Sequence, residues 1–142
     1  MNPELVVAAA KLWLGTPYRH QASALGLGCD CLGLVRGVWR AVLGEEPETP
    51  PPYAASIRDG RNLGSLEAMA KRHLIGAGGA PLPGQVVLFR LRRAVAPRHC
   101  GIVSGPGRFI HAQEGLGVVE AALGEAWLGR VAGTYEFPGG LG

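Results

Sequence analysis

The sequence is poor in aromatic residues, in lysine and in long hydrophobic runs. Aromatic residues make up 6% of the 142 residues, too few for the interleaved basic and aromatic stripe of a nucleic-acid-binding surface. No apolar run approaches the roughly 18 to 20 residues that span a bilayer. The net charge of +3 is carried by twelve arginines and two lysines that are scattered, as on a solvated surface. We read the small cluster Arg90, Arg92 and Arg93 as the solvated end of a strand, with contact to anionic groups or to a partner protein as the alternative. We therefore expect neither nucleic-acid binding nor membrane insertion.

Cysteine is also scarce, with three residues in the chain. An odd number in a chain of this size argues against a disulfide framework and predicts at least one free thiol. The apolar stretch 5–14 is preceded by Glu4, interrupted by Lys11 and followed by no small-residue cleavage pattern, so it does not resemble a secretion signal. We expect it to belong to the fold, and the chain to be made in the cytoplasm.

This apolar stretch has the spacing of an amphipathic helix. The helix is predicted to begin at Asn2 and Pro3, because Asn accepts a free backbone N–H and Pro fits the first helical position. Gly15 is placed to end it. The predicted apolar face comprises Leu5, Val6, Ala9, Leu12 and Trp13.

A second helix is predicted over residues 30–43, with Gly44 at its end. Its apolar residues at helical spacing are Leu34, Val35, Val38, Trp39 and Val42. Asp30 can cap the first turn, so Cys31 is expected at the amino end. The free N–H groups and the positive dipole end there lower the pKa of a thiol. The N–H of Cys31 can also stabilise a tetrahedral oxyanion.

The remaining pattern completes an α+β domain. A proline-rich extended connection is predicted over 45–53, a third helix over 63–74, and a Gly- and Pro-rich loop over 76–84. Everything after this loop reads as short strands, at 85–91, 100–104, 108–112, 117–121 and 131–137. Helices followed by antiparallel strands predict one domain, residues 1–142, with N-terminal helices packed on a small antiparallel sheet.

Two histidines are expected to meet across one hairpin. The turn within SGPG at 104–107, centred near Gly105, pairs residues whose numbers add to about 210, which sets His99 directly opposite His111. Paired residues share a face, with Cβ atoms about 4.5 to 5.5 Å apart, so one imidazole can hydrogen-bond to the other. The pattern predicts His99 as a base that His111 orients. Cys100 would then point to the other face, into the core.

Four motifs occur in order: GTPY at 15–18, DCLGLV at 30–35, HCGIV at 99–103 and FIHA at 109–112. Together they resemble the NlpC-type cysteine peptidases. The resemblance implies a compact papain-like fold that cleaves peptidoglycan stem peptides, typically next to γ-D-glutamate, through a Cys-His-polar triad. Cys31, His99 and His111 occupy the triad positions.

By the same resemblance, Tyr18 would line the site and Asp30 would help to bind the amino end of the substrate. No metal and no other cofactor is implied. Leu32 stands where many relatives carry Ser or Ala, which predicts altered contacts to the free amine of the stem peptide.

The chain is most similar to the single-domain members of this family in phage tails and phage-like gene transfer agents. This resemblance implies tail hub or baseplate proteins as partners, and a particle that carries the enzyme to the cell wall and periplasm. One alternative is a structural tail or baseplate protein that keeps the fold without turnover. Another is a thiol hydrolase for a different amide or ester, because an activated Cys-His pair does not specify the acyl group.

Two further interpretations concern single residues. A zinc site could be built from Cys29, Cys31, His99 and His111, although a Cys-x-Cys spacing is tighter than the usual gap of two to four residues. His111 could instead be a satisfied core histidine. Cys29 has no other assignment, and Trp127 has none.

Overall fold

The computed structural model describes residues 1–50 and 63–139. The helices are α1 (Pro3–Lys11), α2 (Cys31–Leu43), α3 (Leu63–His73) and the short α4 (Glu125–Leu128). The strands are β1 (Ser23–Ala24), β2 (Gly28–Cys29), β3 (Ile75–Ala77), β4 (Val86–Phe89), β5 (His99–Gly105), β6 (Arg108–Gln113), β7 (Gly117–Ala122) and β8 (Val131–Glu136). Strands β3 to β8 form one antiparallel sheet in the order β3-β8-β4-β5-β6-β7. The predicted α+β fold, with helices packed on a small antiparallel sheet, is confirmed.

Helix α1 begins as the sequence predicts. Asn2 is the N-cap, its Oδ1 accepting from the Glu4 N–H at 2.8 Å, and Pro3 occupies the first turn. The predicted apolar face is wrong in two positions, since Leu5 and Leu12 are exposed. The buried face is formed instead by Val6, Ala9, Ala10 and Trp13.

The large sheet has a hydrophobic cluster on each face. The larger cluster joins α1, α2 and α3 to one face and includes Leu34, Val38, Cys100 and Ile102. The smaller cluster is built from Val87, Phe89, Val103, Phe109 and Leu123, with Trp127 packed against it. Because β4 contributes to both clusters, all four of its residues are buried. None of the helices in the described ranges is long and apolar enough to cross a membrane.

Three local predictions need correction. Residues 75–77, which overlap the predicted loop, form the edge strand β3 beside β8. Residues 125–128, predicted to lie in a strand-only region, form α4 between Gly124 and Gly129. The hairpin β1-β2 before α2 was not predicted, because two-residue strands carry no periodic signal. The predicted connection over 45–53 has no helix or strand up to Pro50, and its remainder lies outside the described residues.

The contact between α1 and α2 depends on one glycine. A Cβ atom added at Gly37 would lie 1.9 Å from Cζ2 of Trp13, and no real side chain tolerates that distance. We expect Gly37→Ala to destabilise the protein by about 1 to 3 kcal/mol through overpacking. The midpoint of urea unfolding, followed by circular dichroism, measures the change.

Ala41→Gly is the matched control, since Ala41 is exposed one turn further along α2. This substitution should lower the free energy of unfolding by about 0.5 to 1 kcal/mol, because alanine is preferred over glycine in a helix. If Gly37→Ala instead raised the free energy of unfolding by about 0.5 to 1 kcal/mol, the helix preference for alanine would dominate. That result would show that Trp13 does not occupy this space.

Candidate active site

Cys31 is the first residue of α2, and its capping network fixes it there. Oδ1 of the N-cap Asp30 accepts from the Gly33 N–H at 2.7 Å, and Oδ2 accepts from the Gln21 N–H at 2.8 Å. The loop carrying Gln21 approaches α2 so closely that a Cβ at Gly33 would lie 1.9 Å from the Ala22 carbonyl oxygen. Asp30, Gly33 and this loop therefore hold the thiol at a helix amino end, as predicted. The N–H of Cys31 has no acceptor within its own helix and is available to an oxyanion.

Cys31 differs sharply from the other two cysteines in acidity. A hydrogen bond from the Cys100 thiol, together with the hydrogen bond and charge of His99, lowers the pKa of Cys31 to about 5, although burial opposes the shift. Burial, with the charge of Asp30, raises the pKa of Cys29 to about 12. The pKa of Cys100 is also raised, first by its bond to Cys31 and then by burial. All three thiols are free, and Cys31 alone is a thiolate at neutral pH.

His99 and His111 meet as the sequence predicts, but by a different register. Ile102 pairs with Ile110 and Val103 with Phe109, so the residue numbers add to 212 and not to 210. An irregularity between Val103 and Gly105 accounts for the shift. Because the shift is an even number, His111 keeps the predicted face of the sheet. The two imidazoles are therefore diagonal neighbours, which long side chains can still bridge.

The two imidazoles contact each other through one nitrogen of each ring. Nε2 of His99 lies 2.8 Å from Nδ1 of His111. Burial, and then the charge of His99, lowers the pKa of His111 to about 4, so His111 is neutral at pH 7. Its Nδ1 can accept from the Nε2–H of His99, which leaves Nδ1 of His99 to exchange a proton with the thiol.

Trp127 is a site residue that the sequence analysis left unassigned. Its ring packs against both histidines, with centroid distances of 5.9 Å to His99 and 5.2 Å to His111, and it also contacts Phe89 and Phe109. This cover leaves His111 only 1% exposed, with its Nε2 buried and without a partner among the described residues. The four-residue helix that carries Trp127 has no sequence signal beyond the flanking glycines.

Tyr18 lines the same cleft as Cys31, His99 and His111, as predicted. It is held by an isolated bridge to Cys29 and is half-buried. Burial, followed by the negative charge of Cys31, raises the pKa of Tyr18 above its usual range. The phenol is therefore a neutral hydrogen-bond donor beside the thiolate.

Asp30 and Leu32 do not line this cleft. Asp30 is 2% exposed and lies behind Cys31, where both of its oxygens accept backbone N–H groups. Its predicted contact with the amino end of a substrate stays a prediction. Leu32 lines a separate apolar pocket between α2 and α3, with Trp39 and Cys100 among its neighbours.

The zinc interpretation finds no support in the described part of the chain. Within residues 1–50 and 63–139, no group of three or more His, Cys, Asp or Glu side chains is arranged to hold a metal ion. Cys29 is fully buried in the larger hydrophobic cluster, and the His99 and His111 nitrogens that face each other are already hydrogen-bonded. The arrangement is suited to nucleophilic catalysis by a thiolate with an oriented base.

Comparison with known proteins assigns this arrangement to a family. The model of the NlpC/P60 family matches residues 15–133. The gamma-DL-glutamyl hydrolase of Bacillus subtilis (strain 168) is 29% identical over 136 residues, which cover 93% of this chain and 29% of the length of that protein. The NlpC/p60 domain of the peptidoglycan hydrolase SagA is 24% identical with a TM-score of 0.63, over 96% of this chain and all of that one.

NlpC2 from Trichomonas vaginalis is 20% identical with a TM-score of 0.69, over 96% of this chain and 47% of that chain. Identities this low establish the fold alone for both solved structures. The family model, by contrast, matches most of the sequence and includes the segments that carry Cys31, His99, His111 and Trp127. The chain therefore belongs to the NlpC/P60 family.

Proposed function

We propose that this protein is a cysteine endopeptidase that cleaves amide bonds in the stem peptides of peptidoglycan. One observation carries the proposal: a thiolate with a pKa of about 5 shares a cleft with a histidine that a second, neutral histidine orients. In this assignment Cys31 is the nucleophile, His99 the base and His111 the residue that aligns the base.

The first half-reaction forms an acyl-enzyme. Sγ of Cys31 attacks the carbonyl carbon, and the carbonyl π electrons move to the oxygen, where the N–H of Cys31 stabilises the negative charge. When the oxyanion collapses, the C–N bond breaks and the leaving nitrogen takes a proton from Nδ1 of His99. The free amine departs and the acyl group remains as a thioester on Cys31.

The second half-reaction restores the enzyme. Neutral His99 removes a proton from water as the water oxygen attacks the thioester carbonyl. Collapse of this second tetrahedral intermediate breaks the C–S bond, releasing a carboxylic acid and the Cys31 thiolate. His99 is again protonated, and its Nε2–H donates to His111 throughout.

The name of one similar protein supports the choice of substrate, since the relative that is 29% identical is a gamma-DL-glutamyl hydrolase. Stem peptides contain γ-linked glutamate, so a bond next to that residue is the proposed point of cleavage. Tyr18, a neutral donor in the cleft, is proposed to contact the substrate, and Asp30 to favour its amino end electrostatically from behind the thiol.

Selective alkylation tests the proposal. At pH 6 about nine-tenths of a thiol with a pKa near 5 is thiolate, whereas the more basic and buried Cys29 and Cys100 stay protonated. We expect limited iodoacetamide to label Cys31 first, and solubilisation of purified peptidoglycan to fall in proportion to that labelling. Mass spectrometry of the labelled protein and of the soluble products measures both. Without reagent, activity should decline as the pH falls through about 5, because Cys31 is then protonated.

The same experiment separates the alternatives. Labelling of Cys31 without any wall cleavage by the unlabelled protein would favour a structural protein that retains the fold. Labelling-sensitive release of a product that is not cut at a peptide bond would indicate a thiol hydrolase of a different amide or ester. Failure of Cys31 to react before the other cysteines would contradict its assignment as the nucleophile.

We also propose that the enzyme is delivered to the wall as part of a phage-like tail, in contact with a hub or baseplate protein. The support is the resemblance of the chain as a whole to the single-domain versions of this family that are found in phage tails. Purified particles should contain the chain, should clear peptidoglycan, and should lose that clearing when the chain carries Cys31→Ala. Particles without the chain, or with unchanged clearing, would contradict delivery by this route.

A further inference from the structure

Cys31 contacts a second thiol as well as its histidine. It packs against the larger hydrophobic cluster, to which Cys100 on β5 belongs, and the two thiols are hydrogen-bonded to each other. His99 is hydrogen-bonded to Cys31 as well, and successive residues of a strand point to opposite faces of the sheet. Sγ of Cys31 is therefore held at the start of β5, between a histidine from one face and a thiol from the other.

The two thiols differ in their access to solvent. Cys31 is half-buried and lines the cleft, so a small solute can reach its sulfur. Cys100 is fully buried, and its sulfur is reached through Cys31. A serine at this position could supply the hydrogen bond to Cys31, and a valine could fill the buried strand position. A thiol can in addition form a covalent bond to the sulfur beside it.

We propose that Cys31 and Cys100 are a redox pair, which a hydroperoxide converts into an intramolecular disulfide that switches the site off reversibly. The nucleophile is then tied to the core face of β5 and cannot attack a substrate. Cys31 is the first residue of α2, so no preceding helical turn restricts the rotamers of its side chain. Because the two thiols are already in contact, the disulfide length of about 2.05 Å is reached by closing that contact.

Two steps carry out the oxidation. In the first, the thiolate of Cys31 attacks one oxygen of the hydroperoxide, so that an S–O bond forms, the O–O bond breaks and the departing oxygen takes a proton from His99. With hydrogen peroxide the products are water and a sulfenic acid on Cys31. In the second step, the sulfur of Cys100 attacks the sulfenic sulfur, an S–S bond forms, and the hydroxide leaves as water with the Cys100 proton. Together the two sulfurs lose two electrons, which reduce one hydroperoxide.

Charge sets the order of the two steps. The pKa of Cys100 is raised first by its bond to Cys31 and then by burial, so Cys100 stays protonated while Cys31 is a thiolate. A sulfenic acid is neutral, so the first step removes the larger of these two causes. Cys100 therefore becomes a better nucleophile once Cys31 has been oxidised. Cys29 senses the charge of Cys31, but the thiol that hydrogen-bonds to Cys31 is that of Cys100.

Peptide mapping of the oxidised protein tests the pair and needs no turnover. The full chain is treated with hydrogen peroxide at neutral pH, blocked with iodoacetamide and digested without a reductant. We expect the intact mass to fall by two hydrogen atoms and one cross-linked peptide to join Cys31 to Cys100. Dithiothreitol should break this link and restore the labelling of Cys31. A sulfinic acid on Cys31 without a cross-link, a bond from Cys31 to Cys29, or a bond between two chains would overturn the proposal.

Cys100→Ser is the informative variant, because its hydroxyl can still donate to the thiolate but cannot form a disulfide. Each protein is compared with its own untreated rate of wall cleavage. After prolonged exposure to hydrogen peroxide, dithiothreitol should restore nearly all of the parental rate. The fraction restored in Cys100→Ser should be about tenfold smaller, because its sulfenic acid proceeds to the irreversible sulfinic acid.

Cys29→Ala is the matched control, since it removes the other buried thiol and leaves the redox pair intact. This variant should recover its rate as the parent does. Equal recovery of the parent and Cys100→Ser would overturn the proposal, as would the loss of recovery in Cys29→Ala. The mapping also separates this inference from the proposed function. A Cys31–Cys100 bond in a protein that cleaves no wall would support the redox pair and refute the peptidase.

Discussion

Cys31→Ala should lower kcat/KM for stem-peptide cleavage by about 10⁴-fold or more, the size of loss seen when a covalent nucleophile is removed. Without Sγ no thioester can form, and His99 has no thiol partner. The fold should persist, because Cys31 is half-buried at the first position of α2 and alanine is well tolerated there. Product release from purified peptidoglycan, measured by mass spectrometry, and thermal unfolding together report both expectations.

Two further variants test the expectation for Cys31→Ala. Cys31→Ser keeps the volume but replaces a thiol of pKa about 5 by a hydroxyl that stays protonated, so it should be nearly as inactive as alanine. Cys29→Ala removes a neighbouring thiol that lies in the core and does not line the cleft; it should lose stability but keep activity. Wall digestion by Cys31→Ala at the parental rate would eliminate Cys31 as the nucleophile.

The parts of the site that the sequence predicts are those set by local structure. The cap by Asp30, the start of α2 at Cys31 and its end at Gly44 follow from neighbouring residues in the chain. The common face of His99 and His111 follows from strand periodicity, which survives an even register shift. For the same reason Cys100, the neighbour of His99, is correctly predicted to be buried in the larger cluster.

Features that depend on distant segments could not be predicted. The register of the β5-β6 hairpin is set by an irregularity near Ser104, whose hydroxyl donates to Glu120 on β7 at 2.6 Å. Trp127 shields the two histidines from solvent. It lies on α4, directly after β7, and its contact with His111 on β6 depends on how these segments pack.

His111 combines a functional contact with a stability cost. Its Nδ1 engages His99, while its Nε2 is buried without a partner among the described residues. A buried unpaired N–H is unfavourable by about 1 to 3 kcal/mol. An apolar residue of similar volume would avoid this cost under Trp127, so packing alone does not account for a histidine here. Alignment of His99 does account for it.

His111→Leu should therefore lower kcat/KM by about 10²- to 10³-fold, within the range attributed to an oriented general base. Leucine fills the space beneath Trp127 but cannot accept the Nε2–H of His99. The imidazole then loses both its orientation and the partner that fixes its tautomer. Peptide cleavage across a range of pH measures the loss, and circular dichroism verifies that the fold is retained.

His111→Asn is the informative comparison, because Oδ1 of asparagine is attached to Cγ, as Nδ1 is in histidine, and can accept the same hydrogen bond. We expect kcat/KM of His111→Asn to remain within about tenfold of the parental value. Because asparagine leaves a small cavity beneath Trp127, His111→Asn should be less stable than His111→Leu. The two substitutions thus separate hydrogen bonding from packing: the leucine variant keeps the packing and loses activity, and the asparagine variant does the reverse. Equal activity of both variants would mean that His111 fills space and that His99 is oriented by other contacts, such as its stacking on Phe89.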